Sequence, residues 1–105
     1  MEKYIPVPTM KEFLYDDFME PLGISAYRLA KEIGVPVSRV QDILHGRRKI
    51  TADTSLRLGR YFGISEKFFL NLQNEIDLRN ERIKIWKELD RIKPNEAALS
   101  EIGTH

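Results

Sequence analysis

Ala26-Tyr-Arg-Leu-Ala-Lys-Glu-Ile-Gly-Val-Pro-Val-Ser-Arg-Val-Gln-Asp-Ile-Leu-His45 is the stretch on which the reading of this chain turns. Its apolar residues come in two bursts at helical spacing, Leu29, Ala30 and Ile33, then Val40, Ile43 and Leu44. Gly34-Val35-Pro36 lies between them. Apolar positions at i, i+3 and i+4 on both sides of a glycine turn predict two short helices packed at a steep angle. Ala30 is small enough for the second helix to cross close to the first. Gly34 can take the left-handed conformation that ends a helix, at low steric cost. Val35 plugs the corner, and Pro36 suits a first helical turn, where its missing N–H is not needed. The pattern is that of a helix-turn-helix, with helices expected over 26–33 and 36–45. A helical corner in a structural bundle can imitate it.

Charge separates the two readings. The 105 residues carry a net charge of only +1. Residues 1–25 hold two basic and five acidic side chains, a balance of −3, whereas residues 26–60 hold eight basic and three acidic, a balance of +5. Basic side chains concentrated on the corner and the segment after it point to a local polyanion, double-stranded DNA in this context.

Working outward, residues 1–8 carry two prolines and are expected to form an extended arm. Thr9 and Glu12 form a capping box for a first helix over 10–20 that buries Phe13, Leu14, Phe18 and Met19. Pro21 and Gly23 should close that helix, and Ser25 should cap the second. After Gly46 comes an exposed basic loop, Arg47-Arg48-Lys49. Thr51 should cap a fourth helix with Ala52, Leu56, Leu58 and Phe62 as its apolar surface. Ser65 should cap a fifth that runs unbroken to Lys93, just before Pro94, with Phe68, Phe69, Leu72 and Ile76 packed on the domain. The fold class is therefore all-α, a five-helix domain over 9–78 with a C-terminal helical extension and tail over 79–105. On that extension Ile85, Trp86, Leu89 and Ile92 make an apolar stripe, a candidate dimer or partner interface unless it folds back on its own domain. Residues 95–105 have weak periodicity and should fray.

With Val40, Ile43 and Leu44 turned inward, the third helix presents Val37, Ser38, Gln41, Asp42 and His45 to base edges in a major groove. Gln41 can pair with adenine through its amide, Ser38 can bond a base or phosphate, and Val37 can touch a thymine methyl. Asp42 either orients a neighbouring arginine or accepts from a cytosine amino group. Arg39, Arg47, Arg48 and Lys49 are expected on phosphates, which give affinity and register rather than sequence choice. One small domain covers little DNA, so a homodimer on an operator with partial twofold symmetry is expected. Catalysis has no support: there is no nucleophile motif, phosphate-cradling glycine loop or pair of catalytic carboxylates. The absence of cysteine excludes thiolate metal sites and disulfides. No cofactor, metal or membrane contact is expected, and a cytoplasmic protein is the default.

The chain resembles the HigA-type antitoxins of the lambda-repressor-like (XRE) helix-turn-helix family. The resemblance is carried by Glu20-Pro-Leu-Gly-Ile-Ser25, Leu29-Ala-Lys31, Ile33-Gly-Val-Pro36, Ser38-Arg39, Ile50-Thr-Ala-Asp-Thr54, Arg60-Tyr-Phe-Gly63 and Phe69-Leu-Asn-Leu-Gln73. It departs from the family at Thr9-Met10-Lys11, where His-Pro-Gly is usual, and at Ala26, where glutamine often binds a phosphate. The resemblance implies repression of the antitoxin's own operon and a HigB-like toxin, a small basic RNase, as partner. Asp16 and Glu20 on the acidic first helix would face that toxin, unless they serve only solubility. A stand-alone repressor without a toxin, or a protein-interaction module built on the C-terminal helix, are the alternatives.

Overall fold

Thr9 and Glu12 start the first helix by the reciprocal bonding that their spacing requires. In the computed structural model, which describes residues 8–101, the Thr9 N–H donates to Glu12 Oε1 at 2.7 Å and the Glu12 N–H to Thr9 Oγ1 at 3.4 Å. The expected arm over 1–8 lies outside the described residues except for Pro8. Helix α1 covers 10–22 and is π-wound over Glu12–Met19, the Glu20 N–H reaching back to the Tyr15 carbonyl. Winding at i→i+5 brings residues five apart onto one face. Leu14 and Met19 are accordingly both buried, together with Met10, while Phe13 and Phe18 are only half-buried. The helix also outruns its expected end at Glu20: Pro21 lies inside the last turn, and Gly23 at φ +66° ends it after Leu22.

α2 (Ala26–Ile33) and α3 (Val37–Leu44) form the corner. Ser25 Oγ accepts from the Arg28 N–H at 3.1 Å, capping α2. Gly34 takes φ +76°, and its N–H and that of Val35 both close on the Ala30 carbonyl. Pro36 has ψ 145° and stays just outside α3, as does His45, so this helix is one residue shorter at each end than expected.

α4 (Ala52–Phe62) buries a different face from the one its hydrophobicity suggested. Thr54, Ser55, Leu58 and Gly59 point inward, whereas Ala52 and Leu56 are exposed. Close approach is the cause. A Cβ on Gly59 would sit 2.8 Å from both Glu66 Cα and the Ser65 carbonyl oxygen. Ser55 Oγ donates to the Glu66 carbonyl at 2.6 Å and accepts from the Leu70 N–H at 3.0 Å. Small and hydroxyl residues let α4 meet the turn before α5 and its first turn, with the Ser55 hydroxyl used as both donor and acceptor.

α5 (Phe68–Asp90) starts later than expected. Ser65 does not cap it; its hydroxyl accepts from the Lys67 N–H in the preceding turn. Phe69 is fully buried, with ring centroids of Phe68, Phe18 and Phe62 at 5.1, 5.2 and 6.3 Å from its own. The expected boundary at 78/79 falls inside this helix, and Ile85 (φ −118°, ψ 23°) interrupts its winding. Where fraying is expected over 95–105, Asn95 Oδ1 accepts from the Ala98 N–H at 2.9 Å and caps a short α6, Glu96–Glu101, while 102–105 lie outside the described residues. Among the described residues no helix is long and apolar enough to cross a membrane.

Candidate nucleic-acid interface

The outward face of α3 follows from what its inner face must bury. Val40 and Ile43 are in the core and Leu44 packs against it, which leaves Ser38, Gln41 and His45 exposed at i, i+3 and i+7 on one side. His45 Nδ1 lies 2.7 Å from the Gln41 carbonyl oxygen. A carbonyl can only accept, so Nδ1 carries the proton. The remaining expected base readers are placed less freely. Val37 is half-buried against the core. Asp42 Oδ1 lies 3.0 Å from both Nε and Nη2 of Arg47.

The expected phosphate clamps separate in the same way. Arg39 Nη1 donates to Asp53 Oδ2 at 2.6 Å, which directs it to α4 rather than outward. Asp53 also accepts from Arg57 Nε at 3.0 Å, and Arg57 Nη1 reaches the Ile33 carbonyl at 2.8 Å. The hydrogen bonds from Arg57 and then Arg39 hold the Asp53 carboxyl below the usual carboxylate range, outweighing its desolvation. This chain of bonds ties α3 and the end of α2 to α4. Tyr61 adds a second tie by donating to Glu32. In the basic loop, Lys49 Nζ is 3.3 Å from Asp77 Oδ2, whereas Arg48 is exposed and has no ion pair among the described residues.

The loop is anchored at its far end by a residue that sequence reasoning missed. The Ile50 N–H donates to Gln73 Oε1 at 3.0 Å inside the core, and Gln73 Nε2 donates to Asp77 Oδ1 at 3.1 Å. A signal existed: Gln73 sits four residues after Phe69 and three before Ile76, a polar residue on an apolar stripe. Asp53 and Arg57 carried only the i, i+4 spacing of their own pair within α4, because their other partners, Arg39 and the Ile33 carbonyl, come from other helices. Beside the loop, a cavity of about 570 Å³ opens between the start of α1, the end of α3 and α5, lined in part by Lys11, His45, Arg48 and Asp77. Among the described residues no group of three histidine or acidic side chains could hold a metal ion.

Comparison with known proteins bears on this face. The helix-turn-helix family pattern matches residues 17–69. Virulence-associated protein I of Dichelobacter nodosus is 46% identical over 68 residues, a match that covers 65% of this chain and 63% of that protein. Antitoxin HigA-1 of Vibrio cholerae is 31% identical over 90 residues, covering 86% of this chain and 85% of that protein. The structure of the Pseudomonas aeruginosa antitoxin HigA with the higBA promoter superposes with a TM-score of 0.77 at 36% identity, over 83% of this chain and 96% of the other. The chain thus belongs to the lambda-repressor-like (XRE) helix-turn-helix family, among relatives that include the HigA antitoxins.

Proposed function

We propose that this protein is a sequence-specific DNA-binding antitoxin that represses its own operon and neutralises a HigB-like RNase toxin. The observation that carries the DNA-binding half is the face of α3 on which Ser38, Gln41 and His45 lie together, followed three residues later by the exposed Arg48, which has no ion pair among the described residues. On this reading Gln41 and Ser38 read base edges, Val37 and His45 flank them, and Arg48, Arg47 and Lys49 contact phosphates. Arg39 and Asp42 act at one remove, by fixing α3 and Arg47. Two copies engage half-sites about 34 Å apart, joined through Ile85, Trp86, Leu89 and Ile92. The HigA relatives support the toxin half, and the exposed carboxylates Asp16 and Glu20 on α1 are the surface offered to the basic toxin.

Titration of operator and scrambled duplexes by fluorescence anisotropy tests the first half. Gln41→Ala should weaken operator binding by about 1–3 kcal/mol and leave random DNA unaffected. Equal losses on both duplexes would remove Gln41 from base reading. For the second half, charge reversal at Asp16 and Glu20 should weaken capture of the neighbouring gene's toxin while operator affinity holds. If no neighbouring product binds, the stand-alone repressor replaces the antitoxin.

A further inference from the structure

The three cations of the basic loop differ in what holds them. Arg48 has no ion pair among the described residues, Arg47 is held by Asp42 from the adjoining helix, and Lys49 is held by Asp77 from α5. The two oxygens of Asp77 have separate partners: Oδ1 accepts from Gln73 Nε2 and Oδ2 faces Lys49 Nζ. Gln73 cannot turn over. Its Oε1 is committed to the buried Ile50 N–H, and a flipped amide would set two donors against each other there. The direction of Nε2, and with it the position of the Asp77 carboxylate, is therefore set by the core. We propose that Asp77 is an internal stand-in for a DNA phosphate, positioned by Gln73, that competes with the duplex for Lys49, so that Lys49 contacts a phosphate in only part of the bound population. Asp77 is then a positioning residue that lowers operator affinity and its salt dependence. The proposal rests on the loop binding duplex DNA, as read above.

Asp77→Asn isolates the effect, because the amide keeps an oxygen for Gln73 and loses the charge. At low salt the variant should bind operator about twofold to fivefold more tightly, the range expected when an exposed ion pair no longer competes. Its plot of log affinity against log salt should steepen by up to about 0.9 unit per protomer as Lys49 becomes free to displace a counterion. Lys49→Ala should flatten the slope less in the wild-type background than in Asp77→Asn, and combined with Asp77→Asn it should abolish the gain. Arg48→Ala should flatten the slope by about 0.9 unit in either background. An unchanged slope in Asp77→Asn would overturn the proposal. So would a double variant that keeps the full gain, since Asp77 would then act by diffuse repulsion rather than through Lys49. Wild-type protein that binds no duplex would overturn the functional reading as well, whereas binding with an unchanged Asp77→Asn slope overturns this inference alone.

Discussion

The two halves of α5 belong to one helix, interrupted at Ile85, and have opposite fates. From Phe68 to Asp77 the helix is part of the domain: Phe69 is buried at the centre of an aromatic cluster and Gln73 holds the loop before α4. From Leu78 to Glu101 no residue is buried, and Trp86 and Ile92 remain 58% and 69% exposed. Amphipathic spacing is present in both halves, so periodicity reports that a face should be covered and not what covers it. In the first half, other helices of the same chain do so. In the second, the described residues of a single chain offer nothing, and a second copy is the simplest cover.

The contrast can be broken most forcefully at its packed end. Phe69→Ala removes a buried ring and should lower stability by about 3–5 kcal/mol, measured as a shift in the urea midpoint at constant slope. Gln73→Leu should cost less, about 1–3 kcal/mol, because it leaves the Ile50 N–H buried without an acceptor; the Ile50 amide should also lose protection from hydrogen exchange. At the free end the prediction concerns mass rather than stability. Removing residues 83–105 should leave the domain folded and convert a dimer to a monomer in sedimentation, and an unchanged mass would move the interface elsewhere. Trp86→Ala should shift the stability of the dissociated chain by no more than about 0.5 kcal/mol.

The smallest effect lies at the α2–α4 tie. The hydrogen bond from Tyr61, followed by the contribution of Arg28, holds the Glu32 carboxyl below its ordinary range. A carboxyl lowered on folding contributes stability above its unfolded pKa, and that contribution is lost as pH falls through the folded value. The tie should therefore weaken below about pH 4.5. Tyr61 is raised by the same partner, so its side of the bond should persist up to about pH 10 and fail above it. Tyr61→Phe should flatten both limbs of the stability–pH curve, and a curve unchanged by the substitution would show that solvent screens the pair completely.

What the sequence determined by itself was whatever depends on neighbours a few residues away. The α2–α3 corner, the left-handed Gly34, the Ser25 cap and the Thr9–Glu12 box all appear where the spacing puts them. So does the outward set Ser38, Gln41 and His45, because one helix period fixes which residues oppose Val40 and Ile43. Tertiary structure alone decided the partners. Arg39 and Arg48 look alike in sequence, yet packing brings Asp53 of α4 to the first, whereas the second has no ion pair among the described residues. Lys49 is claimed by Asp77 for the same reason. The π winding of α1 and the polar inner face of α4 also lay beyond local reading. At α4 the cause is the turn over 65–66, which comes so close to Gly59 that a Cβ there would lie 2.8 Å from the backbone.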